Sequence, residues 1–396
     1  MVKGKVLIVH AFFDVIGGGE FLALNAARAL RESGYDVTIL TGTPIIRSKI
    51  ESLHNINVAE LKFIIKPPRV SNFLKRISRG KFTRLRRLIF YNEFFEEYVK
   101  RFKQEHEYDL AIDTQSNILA PVDIVYIHYP AVAEMLPVHK GLHWRVYNWL
   151  VKTYASRISR LGLPGRILTN STWTAGQIYK AYNVVADVVY PPVDVEFFGV
   201  AASNDRRDKL IVTVSRFTVE KKLERIVDVA AKLRDYNFVL TGSTDEYSHV
   251  VLDEIKRRIR EHGLDNVTLE PDLARSKLLG YLKNARYYLH SEFPEHFGIA
   301  VVEAMAAGCV PVVYKDGGAW YDVVSKVSSE LGYRRIEEAA NIVRRLDEDK
   351  ELYSKLRERS IEVSKFFNYD NFKKIFLEKV EYVLRVKRIA FTSSNP

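Results

Sequence analysis

Short apolar runs alternate with amphipathic helical stretches along almost the whole chain, and the alternation restarts once, near residue 200. In the first half the runs are KVLIVH, DVTIL, DLAIDT, DIVYIH, RILTN and DVVYP, with helical stretches at about 20–32, 72–105, 144–159 and from Thr172. After the irregular polar stretch from Gly199 to Asp208 come KLIVTV, NFVLTG, NVTLE, ARYYLH and VPVVY, separated by helical stretches at about 223–234, 246–261, 275–284 and 298–307. Short apolar strands joined by helices rather than tight turns pair in parallel, with helices covering the sheet. The expected fold class is therefore α/β, with two Rossmann-like domains at residues 1–200 and 201–368. Beyond Glu337 the strand signals stop, and residues 369–396, helical from about Tyr369 to Arg388, are expected to pack back across the boundary. Ligands of open α/β sheets bind outside the C-terminal strand ends, so with two facing domains the site is expected in the cleft between them.

Composition removes several classes of answer. A chain of 396 residues that is 47% hydrophobic and 28% charged can bury two ordinary cores, which excludes a disordered or fibrous protein. The single cysteine, Cys309, excludes an intramolecular disulfide and a multi-cysteine zinc site and fits a reducing compartment. The most span-like stretch, FGIAVVEAMAAGCVPVVY from Phe297, carries Glu303 and is broken by Gly308 and Pro311, so no transmembrane helix is expected. The run Val6 to Phe13 ends at Asp14 without a small-residue cleavage site and reads as a first strand rather than a signal peptide. The expected location is cytoplasmic.

Of the net charge of +11, residues 1–198 hold +8. No acid occurs between Leu61 and Asn92, where Lys62, Lys66, Lys75, Arg76, Arg79, Arg84 and other cations alternate with Phe73, Leu74, Ile77 and Phe82. A second acid-free stretch runs from Met135 to Ala186. Such segments suit anionic lipid headgroups or nucleic acid, and equally a solvated helix face.

The residues that carry chemistry follow strand ends. Gly17, Gly18, Gly19 and Glu20 open the first helix, where bare amides and the positive helix end suit an anion, although a plain tight turn accounts for them too. Leu22 stands where a dinucleotide fingerprint needs its third glycine, and the Lys and Ser/Thr of a phosphate-binding NTPase loop are missing. Arg216 lies just beyond the strand Leu210 to Val214, with Lys221 at the start of the next helix, a pair able to clamp a diphosphate and offset charge on a phosphate leaving group. In PEHFGIAVVEAMAAGCVPVV, Glu295 and Glu303 stand eight residues apart; Glu303 sits on a very apolar helix and needs hydrogen-bond donors, as the two hydroxyls of a ribose would supply. His128 closes an apolar strand before Pro130 and is placed to contact a sugar hydroxyl or to be structural. The remaining histidines have no metal-ligand spacing, so no metal is expected.

These motifs together resemble a family, the retaining GT-B nucleotide-sugar glycosyltransferases of family 4. GGGE, YIHYP, TNSTWTAGQI, VVYPPVDVEFF, SRFTVEKK, TGS and EHFGIAVVE carry the resemblance over nearly the whole chain, and the set looks closest to mannosyltransferases that elongate lipid-linked oligosaccharides. The resemblance implies that Arg216 and Lys221 bind the donor diphosphate, Glu303 the ribose, Glu295 a hydroxyl of the transferred sugar, and His128 the sugar. It places the amides of Phe297 and Gly298 near sugar and phosphate, Gly18 and Gly19 near the donor phosphate, and Gly242, in the reduced turn Thr241 to Ser243, beside the base. It implies retention of configuration without a metal or other cofactor, a nucleotide-diphosphate sugar as co-substrate, a lipid-linked acceptor, and a peripheral place on the cytosolic face of an anionic membrane. Mannose from GDP-mannose is preferred to glucose from UDP-glucose. A soluble-sugar or diacylglycerol-type acceptor stays open, and a basic nucleic-acid-binding protein is the reading from a different class.

Overall fold

The computed structural model of the chain describes residues 3–13, 17–45, 61–66, 88–89, 91–92, 95, 108–133, 142–245 and 247–394. They form two compact units, one of residues 1–170, 174–190 and 372–396 and one of residues 171–173 and 191–371.

The first unit is built on a seven-stranded sheet of β1 (Lys5–Val9), β2 (Asp36–Thr41), β3 (Lys62–Ile65), β4 (Leu110–Asp113), β5 (Ile124–Ile127), β6 (Arg166–Thr169) and β7 (Asp187–Val188). Its order is β3-β2-β1-β4-β5-β6-β7, and every pairing is parallel. The central strand β1 is buried on both faces from Val6 to Val9, as the unbroken apolar run requires when helices cover both sides. The second unit repeats the plan with β8 (Asp208–Val214), β9 (Asn237–Gly242), β10 (Val267–Pro271), β11 (Ala285–Leu289), β12 (Val310–Tyr314) and β13 (Gly332–Tyr333), in the order β10-β9-β8-β11-β12-β13. Both sheets are thus doubly wound, with the strand order reversing beside β1 and beside β8.

Two edge strands depart from the sequence expectation. Lys62–Ile65 lies at the head of the basic stretch and, among the described residues, pairs with β2 alone; its exposed ends and short length leave no alternating pattern to read. Gly332–Tyr333 is a two-residue strand on β12. Lys75, Arg76, Arg79, Arg84 and their neighbours lie outside the described residues, as do His139 and most of the helix expected at 72–105.

The C-terminal helix runs over Tyr369–Ser394. It buries Phe372, Phe376, Val380, Val383 and Leu384, and Lys373 pairs with Glu32 at 2.6 Å, so its residues from 372 onward belong to the first unit. Among the described residues no helix is long and apolar enough to cross a membrane, and no three His, Cys, Asp or Glu side chains are grouped to hold a metal ion.

Candidate functional site

In the second unit the strand order reverses between β8 and β11, and the loops after these strands hold Arg216, Lys221 and Glu295. Lys221 ends a short 3-10 turn, and only 6% of it is exposed. Its Nζ donates to Glu295 Oε2 at 2.6 Å and lies 4.0 Å from the centre of the Phe293 ring. His290 Nε2 stands 3.5 Å from the same carboxylate oxygen, and the His296 amide donates to the other at 3.2 Å. Burial alone pushes the Glu295 carboxyl up, but the Lys221 ammonium and the His290 and His296 rings outweigh it and hold it well below the ordinary range. Glu295 is therefore an ionised hydrogen-bond acceptor and not a proton reservoir. Arg216, by contrast, is exposed and forms no ion pair among the described residues.

The Glu295 loop is locked from two directions. Glu295 bridges to Gly317, and Gly318 approaches so closely that a Cβ there would lie 2.0 Å from the His296 carbonyl oxygen. The Ser171 hydroxyl donates to that same carbonyl at 2.6 Å, while the Trp173 indole stacks on the His296 ring and donates to Asp316 at 2.8 Å. This explains why Ser171–Trp173 packs with the second unit.

Phe297 turns its ring into the core against Phe367, so only its backbone can serve a ligand. Gly298 is the N-cap of the helix Ile299–Ala306; its carbonyl accepts from the Val301 and Val302 amides, which leaves the Ile299 and Ala300 amides without a partner within the helix. In the second turn of that helix, burial raises the Glu303 carboxyl to about 7; the Arg275 guanidinium opposes the shift and Asp194 adds to it. Arg275 itself is held by Asp194 at 2.8 Å and lies over the Phe197 ring at 4.5 Å, leaving Nη1 buried without a hydrogen-bond partner. The sequence reading missed Arg275, Asp194 and His290. Asp194 had a signal, since its side chain caps the Val195–Gly199 helix by accepting from the Phe197 amide at 3.2 Å, but Arg275 opens an ordinary amphipathic helix and nothing local distinguishes it. Gly242 ends β9 where the Ser215 carbonyl crosses over it, which gives this glycine a packing role of its own.

In the first unit the strand order reverses beside β1, and Gly18 is the first residue of the helix Gly18–Glu32. Glu20 accepts from the Gly17 amide at 2.8 Å and the Gln115 side chain at 3.1 Å, and lies 3.4 Å from the buried His10. Burial raises the Glu20 carboxyl, but these partners, the His10 ring foremost, bring it below its ordinary value. His128 follows β5, with Nε2 3.1 Å from the Thr114 carbonyl oxygen. A carbonyl only accepts, so Nε2 carries the hydrogen and Nδ1 keeps a lone pair. Burial lowers the His128 pKa to about 4, so the ring is neutral at physiological pH and is not a proton donor of the imidazolium kind. A Cβ at Gly19 would meet the His128 ring, Nε2 at 3.6 Å and Cε1 at 3.9 Å, both ordinary distances, so packing does not demand glycine there.

Residues 186–363 match the family model of glycosyl transferases group 1. This part of the chain, somewhat under half of it, is similar to that family. A mannosyltransferase of Neurospora crassa, GDP-Man:Man(3)GlcNAc(2)-PP-Dol alpha-1,2-mannosyltransferase, is 27% identical over 285 residues, 63% of this chain and 50% of the relative. The Homo sapiens protein of the same name is 25% identical over 297 residues, 66% of this chain and 60% of the relative. The chain thus spans about half the length of the curated relatives it matches. The crystal structure of Anabaena HepE, in complex with UDP and glucose, aligns with a TM-score of 0.69 over 96% of this chain and 100% of that one, at 17% identity, which establishes the fold as GT-B. The Lys221–Glu295 pair, Arg216, Gly298 and the Glu303–Arg275 cluster all lie within the matched residues.

Proposed function

We propose that the chain is a retaining, metal-independent mannosyltransferase that moves mannose from GDP-mannose to a lipid-linked oligosaccharide. The observation that carries the reading is the buried Lys221–Glu295 pair, with Arg216 on the same loop as Lys221 and without an ion pair among the described residues, in a part of the chain whose relatives are named as GDP-mannose-dependent enzymes. Arg216 and the first amides of the Ile299–Ala306 helix meet the diphosphate, with Lys221 behind them; Glu295, fixed as an ion, accepts from a mannose hydroxyl. Glu303 accepts from the ribose hydroxyls, and Arg275 Nη1 supports it. For the first unit the reading rests on the resemblance alone: bare backbone at Gly18 and Gly19 is proposed to meet a donor phosphate, and His128 Nδ1 to accept from a sugar hydroxyl. The bond from the anomeric carbon to the phosphate oxygen breaks as the acceptor oxygen bonds on the same face, and the acceptor's proton passes to the departing phosphate.

A thermal-shift panel tests the donor. GDP and GDP-mannose at a hundred times their dissociation constants are expected to stabilise the protein by about 2.7 kcal/mol, and UDP-glucose, UDP-galactose and UDP-N-acetylglucosamine not. Stabilisation by UDP sugars alone would contradict the mannose reading.

The Glu303 carboxyl gives a second test with a worked sign. Between the ordinary carboxylate range and about 7 the folded chain binds a proton that the unfolded chain does not. This group's contribution to stability therefore falls as pH rises through that window. Ribose hydroxyls donate to the ionised form, so GDP is expected to bind several-fold more tightly at pH 8 than at pH 6, measured by calorimetric titration. Glu303→Gln should flatten that dependence; a slope unchanged in the variant would remove Glu303 from the ribose site.

A further inference from the structure

The helix Leu142–Ser159 is apolar on two opposite sides. Tyr147, Val151, Ala155 and Ile158 are buried in the core of the first unit. At 100° per residue, Leu142, Val146 and Trp149 lie on the opposite side of the helix. They are 74%, 50% and 64% exposed. Single exposed apolar residues are ordinary, but three large ones at i, i+4 and i+7 form a stripe that the core does not use. Arg145 and Lys152 run along one edge of this stripe, both exposed and without an ion pair among the described residues. Lys152 also lines a groove of about 810 Å³, together with Lys180 from the helix Thr172–Tyr182 and the apolar Leu119, Val132 and Ala155. Lys180 is exposed and likewise unpaired among the described residues, and no acid occurs from residue 135 to 186.

We infer that this face docks the chain on an anionic phospholipid bilayer, with Leu142, Val146 and Trp149 in the interface and a lipid phosphate between Lys152 and Lys180. A helix lying in a bilayer surface needs both elements, an apolar stripe to enter the acyl boundary and cations without internal partners to meet the headgroups. Charge complementarity favours this occupant. A second copy would present the same uniformly cationic face, and a nucleic acid has no use for the apolar stripe. The inference stands on this surface alone and is independent of the transfer reaction.

Vesicle co-sedimentation tests it, using the full chain with phosphatidylcholine vesicles with and without about one-third phosphatidylglycerol. The wild type is expected to bind the anionic vesicles and barely the neutral ones. Lys152→Ala with Lys180→Ala, and separately Val146→Ser with Trp149→Ser, should each weaken that binding about tenfold or more. Every replaced side chain is exposed, so thermal unfolding and nucleotide binding should stay at wild-type values, which separates a failure of this inference from a failure of the donor site. Trp149 emission should shift to the blue on anionic vesicles, a signal absent from Trp149→Phe. Unchanged vesicle binding in both double variants overturns the inference, and so does equal binding to neutral vesicles. Loss seen only when Lys75, Arg76, Arg79 and Arg84 are replaced overturns it too, as does self-association that Trp149→Ser relieves in a chain indifferent to vesicles.

Discussion

Lys221→Ala is expected to lower kcat/KM for transfer at least a hundredfold, about 2.7 kcal/mol of transition-state stabilisation. Two losses coincide. On the proposed reading the departing diphosphate loses the cation behind it, and Glu295 loses the partner that keeps it ionised at 2.6 Å. Breaking a buried ion pair by removing one partner costs about 3–5 kcal/mol. Here the lower end applies, because Glu295 is 23% exposed and keeps its contacts with His290 and the His296 amide. Urea unfolding should therefore show a loss of about 3 kcal/mol beside the kinetic loss. Lys221→Arg restores the charge but not the compact ammonium over Phe293, so it should recover stability more than rate. Wild-type kinetics in Lys221→Ala would remove this residue from the site.

The second large effect is on folding. Gly242 has φ +149°, and a Cβ there would lie 1.8 Å from the Ser215 carbonyl oxygen, with the Ser215 carbonyl carbon at 2.5 Å and its nitrogen at 3.1 Å. Backbone cannot give way as a flexible side chain does, and alanine is strained at this φ in any case. Gly242→Ala is expected to cost more than about 3 kcal/mol and, at about 2–4 °C per kcal/mol for a unit of this size, to lower Tm by roughly 6–12 °C. Gly280→Ala is the matched control. It lies in the Arg275–Asn284 helix with nothing within 4 Å of the added Cβ and should stabilise by about 0.5–1 kcal/mol. Calorimetric scans of the two variants decide the point. A harmless Gly242→Ala would mean that β8 and β9 do not converge as described.

The architecture could be read from the chain because a parallel sheet writes itself as unbroken apolar runs, and eleven of the thirteen strands among the described residues carry one. The two that do not are short edge strands, Lys62–Ile65 and Gly332–Tyr333, where one partner and partial exposure leave no pattern. The candidate site was readable as residue types: cations after β8, carboxylates around the Ile299–Ala306 helix, glycines after β1. Pairing across sequence distance was not. Lys221 and Glu295 are 74 residues apart, and the sequence paired Lys221 with Arg216 as a diphosphate clamp, whereas the fold also pairs it with Glu295 and leaves Arg216 without an ion pair among the described residues. The sequence began a helix at Thr172, which made Trp173 a first-turn residue and Ser171 the one before it, and their grip on the His296 loop depends on a contact 125 residues away. Arg275 gains its meaning only from Asp194 and Glu303, which lie on other elements.

Transfer itself is the most direct measurement. The full chain is incubated with radiolabelled GDP-mannose and a polyprenyl-diphosphate-linked oligosaccharide in anionic vesicles, and label in the lipid-linked product is counted beside Glu303→Ala. The account predicts mannose in the lipid-linked glycan in the α configuration of the donor, without added metal, and at least tenfold less of it in Glu303→Ala. Label that stays in the nucleotide with every lipid-linked acceptor, while a UDP-sugar is transferred in its place, would contradict it.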